Sequence, residues 1–288
     1  MGRLDGKVAV ITGATSGIGL RTAEVFVAEG ARIVIAGRRA PEGEALAQQL
    51  GSNCVFRQTD VTVEEQMQAL IALAVEKFGR IDCLFNNAGG PAQTGGIEGL
   101  DVERFDAAMA TLVRSVMLGM KHAAPTMRKQ GFGSIINNGS IAGRLAGFSS
   151  SMVYGAAKAA VIHFTKCVAM ELGESGIRVN SISPGAIATG IFGKALGLPT
   201  DAAEKTAAVM REVYKAAQPI PRAGLPDDIA HARCSWRVTN RASSTATTSS
   251  STAPSPAAAT GASSRPATSR CARRSIRGRV RRIRRGEA

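Results

Sequence analysis

Short apolar runs and amphipathic stretches alternate along most of this chain. The runs are 7–12 (KVAVIT), 32–36 (RIVIA), 53–57 (NCVFR), 81–85 (IDCLF), 133–138 (GSIINN) and 177–182 (IRVNSI). Their length and their polar or glycine-rich borders predict strands. The segments between them place apolar residues at helical spacing, which predicts helices over 18–29, 41–50, 63–78 and 101–129, and another through residues 154–158. Strands alternating with helices predict a parallel sheet covered on both faces. Right-handed crossovers then give an α/β fold with a doubly wound parallel sheet. No internal repeat interrupts the pattern.

Composition adds limits. With 288 residues and 44% hydrophobic content, the chain can bury a proper core in one large domain. No apolar run reaches membrane-spanning length, and the N-terminus lacks a signal-peptide pattern, so a cytoplasmic protein is expected. The five cysteines are scattered without metal-ligand spacing, and the three histidines form no cluster. No metal is expected. The net charge of +14 belongs to the end of the chain: residues 233–288 hold 13 Arg and one acid, whereas 1–232 hold 23 basic and 21 acidic residues.

Two local patterns carry chemistry. Thr12-Gly13-Ala14-Thr15-Ser16-Gly17-Ile18-Gly19 follows the first strand and opens a helix. Glycines there let the backbone approach a pyrophosphate, and the helix N-terminus offers N–H groups and a positive dipole end. Tyr154 and Lys158 stand four apart, on one face of a helix. A nearby ammonium favours the phenolate, so such a pair suits acid/base work near neutral pH.

With these motifs in place, the chain resembles the short-chain dehydrogenase/reductase family from residue 5 to about 232, a Rossmann-type domain. The T-G-x-x-x-G-I-G spacing, Asp60-Val61, Asn86-Asn87-Ala88-Gly89, Ser140 in N-N-G-S-I-A-G, and Pro184-Gly185 with Ile187 and Thr189 beyond all match in order. The resemblance implies an NAD(P)-dependent oxidoreductase that interconverts a secondary alcohol and a ketone. It implies catalytic roles for Ser140, Tyr154 and Lys158. It implies cofactor contacts from Thr12, Gly13, Ser16, Gly17, Ile18, Gly19, Asp60, Val61, Asn87, Ala88, Gly89, Tyr154, Lys158, Pro184, Gly185, Ile187 and Thr189. It also implies a homo-oligomer.

Three details of this chain refine that expectation. Arg38 and Arg39 end the second strand where an acid would reject a 2′-phosphate, which favours NADP while leaving NAD possible. Many NADP-preferring relatives carry a basic residue where this chain has Ser16, which points the other way. Leu112 stands where the family usually has an Asn that anchors a relay water, so the relay either runs by another route or is slowed. Residues 189–220 should form a lid offering Ile191, Phe192, Leu196, Leu198, Met210, Val213 and Tyr214 to a neutral, fairly apolar alcohol or ketone.

The tail departs from the pattern. Residues 242–260 are all Ala, Ser, Thr or Pro, and 270–285 are Arg-rich. Such composition builds no core and reads as disorder or as a tail for an acidic partner, although nucleic acid is not the expected partner. A frame shift near residue 232 fits better. Ala, Thr, Pro and most Ser codons share a middle C, as a GC-rich gene shows when read out of frame. Shifted, Ser243 to Pro254 can decode as F-V-N-G-H-D-L-V-V-D-G-A, close to the family's last strand. The expectations are therefore a body over 1–232, an aberrant 233–288, loss of the last strand, and an unstable or aggregating chain. The alternative function is a catalytically impaired nucleotide-binding relic.

Overall fold

The apolar runs form the strands of one sheet. The computed structural model describes residues 2–215, 220–235 and 248–250. Strands β1 (Val8–Thr12), β2 (Arg32–Gly37), β3 (Cys54–Gln58), β4 (Cys83–Asn86), β5 (Gly133–Asn138) and β6 (Ile177–Ser183) are joined by helices. These are α1 (Gly17–Ala28), α2 (Ala40–Leu50), α3 (Glu64–Phe78), α4 (Val102–Met109), α5 (Ser115–Gln130) and α6 (Met152–Leu172). Beyond β6 come α7 (Ile191–Ala195), α8 (Thr200–Lys215), α9 (Pro226–Ser235) and a short β7 (Thr248–Ser250). The strand order is β3-β2-β1-β4-β5-β6-β7, all parallel. The chain winds outward from β1 to β3, then returns to start again at β4. The crevice beyond the C-terminal ends of β1 and β4 is thus a topological switch point, where ligands bind in open α/β sheets.

Alternation along the strands divides the core in two. Val10, Val34, Leu84, Ile135 and Val179 point to the side covered by α3, α5 and α6, against Leu70, Val116, Met127 and Val161. Their neighbours Ile11, Ile33, Ile35, Phe85 and Ile136 point to the other side, against Phe26 of α1, Leu46 of α2 and Ile229 of α9. A period of two on each strand feeds both layers. Helix α9 is well seated: Ile229 and Ala230 are fully buried, and Asp227 accepts from Arg21 Nε at 2.7 Å.

The helix expected over 101–129 is not uniform. A wider π turn over Ala110–Arg114 joins α4 to α5, and such turns occur often at functional sites. Leu112 lies in it. The expected loss of the last strand also needs adjustment. Three residues of the tail form β7 and pair with Ser181–Ser183 of β6. A parallel ladder needs only backbone N–H and C=O groups, which Thr-Ser-Ser supplies as well as an apolar segment would. The rest of the expectation for the tail lies outside the described residues. Among the described residues, no helix is long and apolar enough to cross a membrane.

Candidate active site

The loop after β1 is held in shape by the loop after β4. Thr12 Oγ1 accepts from the N–H groups of Asn87 and Ala88, both at 3.0 Å. Asn87 Nδ2 donates to the carbonyls of Thr12 (3.0 Å) and Gly13 (3.1 Å), and Asn87 Oδ1 accepts from Asn138 Nδ2 at 3.1 Å. Gly13 has φ +66°, and a Cβ there would sit 2.7 Å from Ala88 Cα. No other residue fits this close crossing. Gly17, φ +55°, begins α1, and a Cβ there would meet the Thr189 methyl at 3.4 Å.

These loops surround a cavity of about 480 Å³. Gly13, Ser16, Gly17, Ile18, Arg38, Arg39, Asp60, Val61, Asn87, Ala88, Gly89, Tyr154, Lys158 and Thr189 all line it. Six expected residues do not. Thr12 and Gly19 lie behind the loop, and the Gly19 backbone packs against Gly13. The Pro184 carbonyl accepts from Ile141 N–H at 3.0 Å, tying the segment at Pro184-Gly185 to the one bearing Ser140. The Ile187 side chain is buried in the core on the α1 side, which leaves its backbone as the part that could meet a cofactor. Ser140 is buried, with its side chain hydrogen-bonded to Tyr154.

The catalytic candidates meet at the other end of the cavity. Ser151 caps α6, accepting from Tyr154 N–H at 3.1 Å and donating to the Gln93 carbonyl at 2.6 Å. The cap fixes the first turn of α6 and with it the direction of Tyr154. Gly143 lets the Ser140 segment lie against the backbone of Lys158, where a Cβ would meet that residue's carbonyl carbon at 2.5 Å. The Ser140 hydroxyl reaches the Tyr154 phenol and also accepts from Ala142 N–H at 3.1 Å. Lys158 is buried, and its ammonium donates to the Asn138 carbonyl at 2.7 Å. The Nζ lies 5.6 Å from the Tyr154 ring centre.

Electrostatics here differ from the simple argument that a lysine lowers a tyrosine. Burial raises the Tyr154 pKa above its usual value, and the Ser140 bond offsets only part of this. Burial also lowers Lys158, to about 8. Desolvation is thus the dominant influence at both groups.

Leu112 is 1% exposed and belongs to a buried cluster with Ala108, Val153 and Ala157, against which Tyr154 packs. This leucine fills an apolar niche beside Gly89 and cannot anchor a water. Sequence reasoning also missed Asn138. Its Oδ1 is buried without a hydrogen-bond partner, at the wall of the cavity beside Lys158. The doubled Asn in N-N-G-S was the available signal.

Where Arg38 and Arg39 line the cavity, the arginines are not free of acids. Arg39 donates to Thr15 O and Thr15 Oγ1, each at 3.0 Å, and pairs with Glu42 at 3.2 Å. The i, i+3 spacing at the start of α2 brings that carboxylate in. Arg38 is exposed. At Asp60, burial pushes the carboxyl up, but hydrogen bonds from Thr62 N–H and Oγ1 and the charge of Arg38 outweigh it and leave the pKa lowered.

The lid residues divide as well. Ile191, Phe192, Leu196, Leu198 and Val213 are exposed, whereas Met210 is buried.

A glycine-lined cradle at a helix N-terminus, an exposed arginine at one end and a buried lysine at the other fit a dinucleotide. The fold and site thus define a dinucleotide-binding α/β protein. The model of the short chain dehydrogenase family matches residues 7–196. The oxidoreductase YxbG of Bacillus subtilis (strain 168) is 38% identical over 233 residues, covering 80% of this chain and 84% of that protein. Trans-4-hydroxycyclohexanecarboxylate dehydrogenase of Sinomonas cyclohexanicum is 42% identical over 196 residues, 65% of this chain and 74% of that one. (+)-Borneol dehydrogenase 2 of Salvia officinalis is 40% identical over 193 residues, 66% and 68%. The chain belongs to the short-chain dehydrogenase/reductase family, oxidoreductases that use NAD(P).

Proposed function

We propose that this enzyme interconverts a secondary alcohol and a ketone, with Tyr154 as the acid/base. The observation that carries the reading is the meeting of Tyr154 and a buried Lys158 at the wall of the cavity, with Ser140 bonded to the Tyr154 side chain. When bound, NAD(P) donates or accepts the hydride. In reduction, the neutral Tyr154 phenol gives its proton to the carbonyl oxygen; in oxidation, the phenolate takes it back. The Ser140 hydroxyl holds that oxygen and stabilises its developing charge. Lys158, fixed by the Asn138 carbonyl, keeps a positive charge beside the phenol and favours its ionised form during turnover.

NADP is the preferred cofactor, supported by the exposed Arg38 at the adenosine end. The exposed apolar residues of α7 suit a neutral, fairly apolar substrate, in keeping with the borneol named in one of the relatives. The working form is a cytoplasmic homo-oligomer whose domain is residues 1–232, and residues 233–288 are a frame-shifted replacement of the family's C-terminus. Spectrophotometric assay of a ketone and alcohol panel with both cofactors tests the reading. Turnover of apolar cyclic ketones with NADPH is expected, and no cofactor oxidation across the panel contradicts it.

A further inference from the structure

Lys194, in the short helix α7, reaches back to the phosphate cradle. Its ammonium donates to Ser16 Oγ at 3.1 Å and pairs with Glu204 of α8 at 2.7 Å. Ser16 immediately precedes α1, and it gives the helix no side-chain cap of its own. The lid therefore sets a cation on the rim of the cradle formed by Gly13, Ser16 and Gly17. Its counter-ion is a carboxylate that lines the same cavity, and both side chains are 34% exposed.

Two glycines fix this arrangement. A Cβ at Gly190 would meet the Glu204 carboxyl carbon at 2.7 Å, and one at Gly193 would meet Ala203 Cβ at 2.9 Å. Helix α7 thus lies directly on α8, with Glu204 pressed against the turn that follows Thr189. A carboxylate at that point opposes any phosphate that enters the cradle. A lysine beside it attracts the same phosphate. The pair is compensated in the free chain, and an arriving diphosphate competes with Glu204 for Lys194.

We propose that Lys194 is a lid-borne ligand for the diphosphate shared by NAD and NADP, held ready by Glu204 and transferred from carboxylate to phosphate on binding. No bond is made or broken. The inference rests on the dinucleotide reading of the cavity but not on the chemistry assigned to Tyr154. It also separates two cationic ends: Arg38 meets what distinguishes NADP from NAD, whereas Lys194 meets what the two share.

Calorimetric titration of the 288-residue chain with NAD, NADP, ADP-ribose and adenosine tests it. Lys194→Met should weaken NAD, NADP and ADP-ribose alike, by about tenfold, the loss of one partly screened charge-assisted contact, and leave adenosine unchanged. Glu204→Gln, the second variant, should tighten the three diphosphates several-fold and again spare adenosine. Unchanged ADP-ribose affinity in Lys194→Met overturns the proposal, as does a loss confined to NADP or one shared by adenosine. Weaker diphosphate binding in Glu204→Gln overturns it too. A wild-type chain that binds none of the three diphosphates overturns the cofactor reading and this proposal together; normal wild-type binding with no change in either variant overturns this proposal alone.

Discussion

Replacing Lys158 by Met should destroy catalysis and stabilise the fold. Lys158 is 4% exposed, and burial lowers its pKa from the ordinary 10.5 to about 8. At 1.36 kcal/mol per pH unit, that displacement means burial disfavours the ammonium by about 3 kcal/mol. Methionine is unbranched and fills a similar space without charge. It forfeits the charge-assisted bond to the Asn138 carbonyl, worth about 2 kcal/mol. The net gain is about 1 kcal/mol at pH 7, or roughly 3 °C in Tm for a domain of this size. The pH dependence identifies the cause. Below pH 8 both folded and unfolded chains carry the proton, and the wild type bears the full burial cost. Between pH 8 and 10.5 the folded chain releases the proton while the unfolded chain keeps it, so the wild type gains stability as pH rises. The advantage of Lys158→Met should therefore be complete at pH 7 and shrink steadily toward pH 10. Urea melts of both proteins at several pH values measure it. A destabilised variant at pH 7, or a difference that does not change with pH, refutes the reasoning.

Other expectations concern the remaining departures. Arg38→Ala should weaken NADPH by about tenfold or more, the loss of one charge-assisted contact, and leave NADH nearly unchanged, as fluorescence titration would show. Leu112→Asn puts an amide into the apolar cluster against which Tyr154 packs, so it should cost about 2–3 kcal/mol in a urea melt while raising turnover if the relay is slow; unchanged turnover sinks the slowed-relay idea. Resequencing the DNA across residue 232 should reveal an intact alternative frame one base away, and the chain built from it should melt well above the 288-residue chain.

Much of this was legible in the sequence because the period-two strands and amphipathic helices are strongly patterned. The glycine loop and N-N-A-G were each legible as motifs, whereas their close crossing through Thr12, Gly13 and Asn87 is a matter of the fold. What stayed hidden depends on distances between distant segments. Glu204 lies ten residues from Lys194, with no spacing rule to join them, and only the packing of α7 on α8 does so. The electrostatic argument for Tyr154 and Lys158 used their i, i+4 spacing but could not weigh burial. In the structure desolvation is the larger influence on both. Glu42 was visible, yet its claim on Arg39 follows from where α2 begins, and helix starts are the least certain boundaries in a sequence. Ile187 matched a motif, and its side chain went to the core because an isoleucine behind the P-G turn gains more from burial than from lining a polar cavity.

The role of Tyr154 is tested most directly by Tyr154→Phe, which removes the hydroxyl and keeps the ring in place against its apolar cluster. Ketone-dependent NADPH oxidation should fall at least about a hundredfold, with NADPH affinity changed by no more than a few-fold. Turnover that survives the substitution with affinity intact would contradict the assignment of Tyr154 as the proton donor.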